Sequence, residues 1–268
     1  MSDTSKGPEW WLASDGKWYP PSSRPGPAQP PSSRRGGSSE WERRPWVSPS
    51  LAAWVQGLLW AAGAMYLLTA ALTVNAYRVF EEYGDGEASL TTWSLAHDSY
   101  TVGFGLALLL WIAGYIVFVV WSNKAHKATD ALDPGRRTWS SGWTVGGWFI
   151  PVALLVIPKL VLNEIEKIAK APRQDGLVTA DWRQEQTSVI GWAWWLLFVA
   201  GSLAFFISST AWDQTDLTVP AADIRLGYQA QLAASLLWAG SGACGALFVR
   251  RLSRHLSPQS FEAEVIYY

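Results

Sequence analysis

Apolar positions fall in long unbroken blocks. Leu51 to Val74 carries no formal charge, and Ser99 to Trp121, Ile190 to Ala211 and Leu226 to Val249 are built alike. At about 1.5 Å of rise per residue, each block can cross a ~30 Å hydrocarbon core as a helix. Polar stretches separate the members of each pair. Asn75 to Asp98 holds Glu81, Glu82, Asp85, Glu87 and Asp98 against Arg78, and Trp212 to Arg225 holds Asp213, Asp216 and Asp223 against Arg225. The pattern predicts an all-α membrane protein with four transmembrane helices in two hairpins, each closed by an acidic loop.

Between the hairpins lies Trp139 to Ala171, WSSGWTVGGWFIPVALLVIPKLVLNEIEKIAKA. From Trp143 to Ile157 it is apolar enough to enter a bilayer, yet a helix of that length rises only about 22 Å. Pro151 and Pro158 each remove a backbone donor and clash with the preceding turn, and Gly146-Gly147 stands just upstream. We expect a Pro-broken segment, re-entrant or interfacial, that returns to the side it left. Backbone freed by proline must be buried in protein or line a wet cavity, so the dip is expected inside the bundle, away from lipid. After it, Val161, Ile165, Ile168 and Ala169 share one helical face while Glu164, Lys167 and Lys170 fall elsewhere, the pattern of an interfacial amphipathic helix. Glu166 and Lys170 form a favourably ordered i,i+4 pair. Residues 172–187 read as a polar loop.

Basic residues decide between four crossings and five, because they mark the cytoplasmic side. Arg34, Arg35, Arg43 and Arg44 precede the first span. Lys124, Lys127, Arg136 and Arg137 follow the second, Lys167, Lys170, Arg173 and Arg183 precede the third, and Arg250, Arg251 and Arg254 follow the fourth. All fall on one side if the central stretch does not cross. A crossing from Trp143 to Leu162 would enclose Lys159 and separate them. Four crossings with both termini cytoplasmic is the expectation. The first fifty residues are too polar for a cleaved signal peptide, so the first span should serve as an uncleaved anchor.

The domain plan follows. Residues 1–20 contain GPEWWLASDGKWYPP, whose Asp15-Gly16 between aromatic runs is a hairpin signal; the motif could bind a peptide or a membrane surface, or be a loose tail. Residues 21–45 are a Pro/Ser/Gly/Arg linker expected to lack structure. Residues 46–256 are the membrane domain and 257–268 a short tail.

Composition supports a membrane class. The chain of 268 residues is 49% hydrophobic and only 16% charged, and holds 19 tryptophans. Trp46, Trp54, Trp121, Trp139, Trp143, Trp192, Trp194, Trp195 and Trp212 stand near the ends of apolar runs, as an interfacial aromatic belt would. A formal net charge of −1 points to no nucleic-acid partner. One cysteine, Cys244, allows no internal disulfide. Echoes of LLWAAG at 58–63, 109–114 and 236–240 could mark a duplication, or merely the abundance of these residues.

Candidate chemistry is sparse. His97, His126 and His255 lie far apart, so neither metal nor cofactor is expected. Ser140-Ser141 with His126 and Asp130 or Asp133 is the cytoplasmic cluster holding hydrolase residue types, at no diagnostic spacing. Gly103, Gly105, Gly201, Gly240 and Gly242 are expected to let helices approach. Lys159 is expected to snorkel to the interface. Ser208, Ser209, Thr210, Gln229, Gln231 and Ser235 are expected to join helices by hydrogen bonds.

The motif SSGWTVGGWFIP…P…EI between two pairs of spans resembles the bacterial membrane proteins grouped as domain of unknown function 4328. The resemblance covers about residues 50–255. It rests on Gly142, Trp143, Gly147, Trp148, Phe149, Ile150, Pro151, Pro158, Glu164 and Ile165. The family often has an asparagine three residues after the first proline; Leu154 stands there in this chain, so no ligand role carries over. The N-terminal motif is similar to short Trp-rich modules of actinobacterial membrane proteins. The resemblance implies a bacterial inner-membrane protein and names no activity. The expectation is a non-enzymatic scaffold, sensor or assembly protein, with the bilayer and a protein bound through the Trp-rich tail as partners; a carrier for a small solute or lipid is the alternative.

Overall fold

The structure, a computed structural model, describes residues 10–12, 18–19, 46–133, 137–174, 177–211 and 219–257. It divides into two units at Arg43/Arg44. In the first, β1 (Trp11–Leu12) pairs antiparallel with β2 (Trp18–Tyr19), Trp11 facing Tyr19 and Leu12 facing Trp18. The Asp15-Gly16 turn, the linker 21–45, the loop 212–218 and the tail beyond Ser257 lie outside the described residues.

The second unit is built on four helices long and apolar enough to cross a membrane: α1 (Pro49–Gly84), α2 (Leu90–Asp130), α6 (Val189–Ala211) and α7 (Ala221–His255). Their local signals are conventional. Pro49 opens α1 where a missing amide costs nothing, and Ser89 caps α2 by accepting from the Thr92 amide at 3.1 Å. Gly86, at φ 77°, makes the turn between α1 and α2. Helices of 36, 41 and 35 residues (α1, α2, α7) greatly exceed a bilayer, whereas α6, with 23, matches one.

That excess corrects the acidic loops. Asn75 to Asp98 is helical except around residues 85–89. Phe80, Trp93, Tyr100 and Tyr228 cluster there, with Trp93 Nε1 donating to Tyr228 Oη at 3.0 Å. Arg225 grips Glu81 with two bonds of 2.7 and 2.9 Å. Charge marked where the chain leaves the lipid; no helix breaker stopped the helix there.

α1 and α7 form the closely packed centre, with α2 against α1 and α6 against α7. A Cβ on Gly242 would stand 2.8 Å from the Leu59 carbonyl oxygen, so α7 approaches α1 where a side chain cannot fit. Gly201 admits the Trp238 indole in the same way, while Gly105 faces open space. α2 and α6 meet through rings instead: Phe104 stacks on Phe205 at 5.4 Å and Trp111 on Phe198 at 6.2 Å. Ser208 joins α6 to the Gly227 carbonyl at 2.9 Å. Ser209 and Thr210 bond within their own helix, Gln231 bonds Ser235 one turn on, and Gln229 is exposed.

The middle stretch does not cross. It forms α3 (Trp143–Gly146), α4 (Pro151–Leu154) and α5 (Ile157–Lys170), followed by a hairpin of β3 (Arg173–Gln174) and β4 (Leu177–Val178) and a 3-10 turn at Trp182–Gln184. The 172–187 loop is thus partly ordered, with Val178 and Trp182 buried. α5 buries the face that the spacing marked, Val161, Ile165, Ile168 and Ala169, in the core with Trp121, Phe248 and Leu252. One further expectation fails. The dip, conversely, is partly outward: Phe149 is 70% exposed, with Ile150, Leu155 and Val156 also exposed. Part of its backbone is bonded within its own turns, such as Gly146 N–H to Gly142 O at 2.7 Å and Leu154 N–H to Ile150 O at 2.7 Å. Trp121, Trp194 and Trp195 lie in the core, while Trp54, Trp143 and Trp192 are exposed as belt residues would be.

Candidate functional site

The motif residues converge on the end of the bundle that carries the basic residues. Gly142 caps α3 and Trp143 packs edge-on against Trp139 at 6.0 Å. Gly147 is buried; a Cβ there would stand 2.9 Å from the Trp143 carbonyl oxygen and 3.1 Å from Ile157. Only glycine fits, because this is where the chain folds back onto α5. Trp148 drives inward between α2 and α6. Its indole lies edge-on to Tyr115 at 5.4 Å, Phe118 at 5.8 Å and Trp195 at 6.0 Å, and its carbonyl accepts from the Tyr115 hydroxyl at 3.3 Å. Phe149 turns outward. Pro151 opens α4, and Pro158 sits in the first turn of α5.

Glu164 is the anchor. Its carboxylate, 4% exposed, accepts from Arg137 Nε at 3.2 Å and from the Thr138 and Trp139 amides at 2.9 and 3.4 Å. Arg137 Nη1 donates onward to the His126 carbonyl and Thr129 Oγ1, both at 2.8 Å, on the last turns of α2. Burial lowers the Arg137 pKa, and Glu164 holds it up. His126 Nε2 meets the Trp139 carbonyl at 2.9 Å; a carbonyl only accepts, so that nitrogen carries the proton. Asn123 Nδ2 donates to Thr144 Oγ1 at 2.8 Å. The polar end of α2 is thereby stitched to residues 137–144.

Glu166 makes a second anchor, accepting from the Ser188 amide at 2.9 Å and pairing with Lys170 at 3.5 Å. Lys167 donates to the Arg183 carbonyl at 2.9 Å and Lys170 to that of Gln186. Arg173 reaches the His255 carbonyl of α7 at 3.3 Å. One short helix and its flanks are thus fastened beside the ends of three of the four spans. The Glu166–Lys170 pair is the one the spacing predicts, and Glu164 is a motif residue; what the sequence does not show is that both carboxylates are buried and that Arg137, read as a marker of the cytoplasmic side, is the partner of Glu164.

Lys159 does not snorkel. It is 2% exposed, and its ammonium has no hydrogen-bond partner among the described residues. It stands 4.7 Å over the Trp192 ring and 5.7 Å from that of Phe248, contacts that partly replace water. Burial pushes its pKa down to about 8, against the pull of Glu166.

Of the hydrolase residue types, Ser140 and Ser141 are exposed, and His126 is buried with its Nε2 on a backbone carbonyl. No group of three or more His, Cys, Asp or Glu suited to a metal occurs among the described residues. Between the four spans lies a cavity of about 40 Å³, lined mainly by rings, Tyr66, Trp111, Trp148, Trp194 and Trp238 among them.

Fold and site together define a multi-pass helical membrane protein with a non-crossing segment pinned across one end of its bundle. The chain belongs to the family described as a domain of unknown function, DUF4328, which matches residues 84–254. The matched region begins at the end of α1, so the first span lies outside it. No curated protein and no solved structure matches the chain.

Proposed function

We propose that this protein is a non-catalytic scaffold or sensor of the bacterial inner membrane, with its basic end and both termini in the cytoplasm. The observation that carries this reading is the fastening of α5 and its flanking residues to the ends of α2 and α7 and to Ser188 just before α6, through Glu164 with Arg137, Arg173, and Glu166. A partner that loads this cap acts on three spans at once, which suits relay or assembly. The bundle interior is filled by aromatic rings around a small cavity, and neither cofactor nor catalytic group enters the proposal. The Trp-rich N-terminal strands are proposed to recruit a protein partner. Affinity capture with and without residues 1–45 tests that part: partners lost on truncation support it, and an unchanged set rejects it.

Transport is the second reading, favoured by the broken backbone at Trp148 beside the cavity, since carriers place substrate sites at such breaks. Flux of a metabolite panel into liposomes bearing correctly inserted protein would establish it, and zero flux throughout would remove it.

A further inference from the structure

α1 and α7 close on each other through glycine, but α2 and α6 are held apart by rings, Trp111 on Phe198 at 6.2 Å and Phe104 on Phe205 at 5.4 Å. Into that gap comes Trp148, 6% exposed, from a segment that belongs to no span. The cavity of about 40 Å³ has Trp148 in its wall, with Tyr66 of α1, Trp111 of α2, Phe198 of α6 and Trp238 of α7. By itself it offers little more room than one water takes in the liquid, about 30 Å³. The space of the indole joined to this cavity makes a chamber for one larger ring system. Its wall is mainly aromatic and includes no charged residue, so an ion would lose its hydration there without replacement. A neutral aromatic molecule would gain ring contacts of the edge-on kind that Trp148 now makes with Tyr115 and Phe118.

The segment that carries Trp148 is built to shift. α3 and α4, on either side of it, have four residues each, so movement unwinds no long element. The Trp148 amide bonds within its own turn, to the Val145 carbonyl at 3.1 Å. Its carbonyl accepts from the Tyr115 hydroxyl at 3.3 Å, long for an O–H donor. Phe149, Ile150 and Leu155 are exposed, and a Cβ on Gly146 would meet nothing within 4 Å. A displaced indole would join Trp143 at the membrane–water interface, where such rings are favoured. Ejection by an aromatic ligand therefore exchanges one ring filling for another.

We propose that the chamber between the four spans binds a neutral aromatic molecule of about indole size, and that Trp148 occupies it as an internal plug until the ligand displaces it. Such a site serves a sensor and a carrier alike, so it does not rest on the choice between them. Indole is the probe, titrated into the full-length protein in nanodiscs. A trifluoromethyl tag on Phe149→Cys, in the Cys244→Ala background, is read by fluorine NMR, with free indole corrected for uptake by empty nanodiscs. The response should saturate. Indole-3-acetate, which is charged, should give none, and an equal response to it rejects a neutral site. Trp148→Ala removes the internal competitor, so indole should bind that variant about tenfold or more tightly. Saturable binding in Trp148→Ala, with only a linear response when Trp148 is present, makes the indole a fixed wedge and overturns the proposal. Equal affinity in the two puts the probe elsewhere and overturns it as well. Should Trp148→Ala fail to fold, Tyr115→Phe keeps the ring and removes the tie to the Trp148 carbonyl. Indole should then bind about threefold or more tightly, the loss of one neutral hydrogen bond from the plugged state, and unchanged affinity rejects the plug.

Discussion

Glu164 and Lys159 show two ways of burying a charge, with opposite consequences. Glu164 is paired and hydrogen-bonded, so removing its charge strands Arg137 in the interior. Glu164→Gln should therefore destabilise the protein by about 3 kcal/mol or more, measured by denaturant unfolding in detergent, and Arg137→Met added to it should restore part of the loss. Lys159 has no acceptor, so its charge is a liability. With its native pKa near 8 and the ordinary lysine value at 10.5, the unfolded chain binds more protons than the folded one between those values. Stability contributed by this residue must therefore rise with pH across that window. Melting in phosphatidylcholine nanodiscs should gain more from pH 8 to pH 10 in wild type than in Lys159→Met; equal gains would refute the assignment. Neither environment was legible in the sequence. Spacing puts a residue on a helical face, but whether that face meets lipid, water or another helix depends on packing from residues far along the chain, such as Arg137 and Phe248.

The apolar blocks revealed the number of spanning helices and the failure of the central stretch to cross, because both follow from length and from proline. They did not reveal where helices stop. Hydrophobicity ends at Val74, yet α1 continues to Gly84, where Gly86 and its positive φ turn the chain. The aromatic residues of the polar segment, Phe80 and Trp93 among them, pack on Tyr228, which makes the extension worth folding. Topology tests the crossing count. In a Cys244→Ala background, Ser140→Cys and Ala180→Cys should be labelled by an impermeant thiol reagent from the same face, and Glu87→Cys from the other. Opposite faces for 140 and 180 would mean that the central stretch crosses after all.

At the scale of the molecule, the two hairpins join at one tight seam and one loose one. α1 and α7 meet through glycine and alanine, α2 and α6 through large rings, with Trp148 wedged into the wider gap. The glycines were visible in the sequence as small residues within spans; which of them carry the seam was not, since Gly105 and Gly242 have the same kind of neighbours along the chain. The structure separates them, and substitution should too. Gly242→Ala would place a methyl group 2.8 Å from the Leu59 carbonyl oxygen, a backbone atom that can yield only by moving α1. It should cost about 1–3 kcal/mol. Gly105→Ala meets nothing within 4 Å, and the gain in helix propensity should stabilise by roughly 0.5–1 kcal/mol. The two changes are chemically identical, so a difference in sign between them in unfolding free energy can arise only from the approach of α7 to α1. If both stabilise, that approach is not the one described.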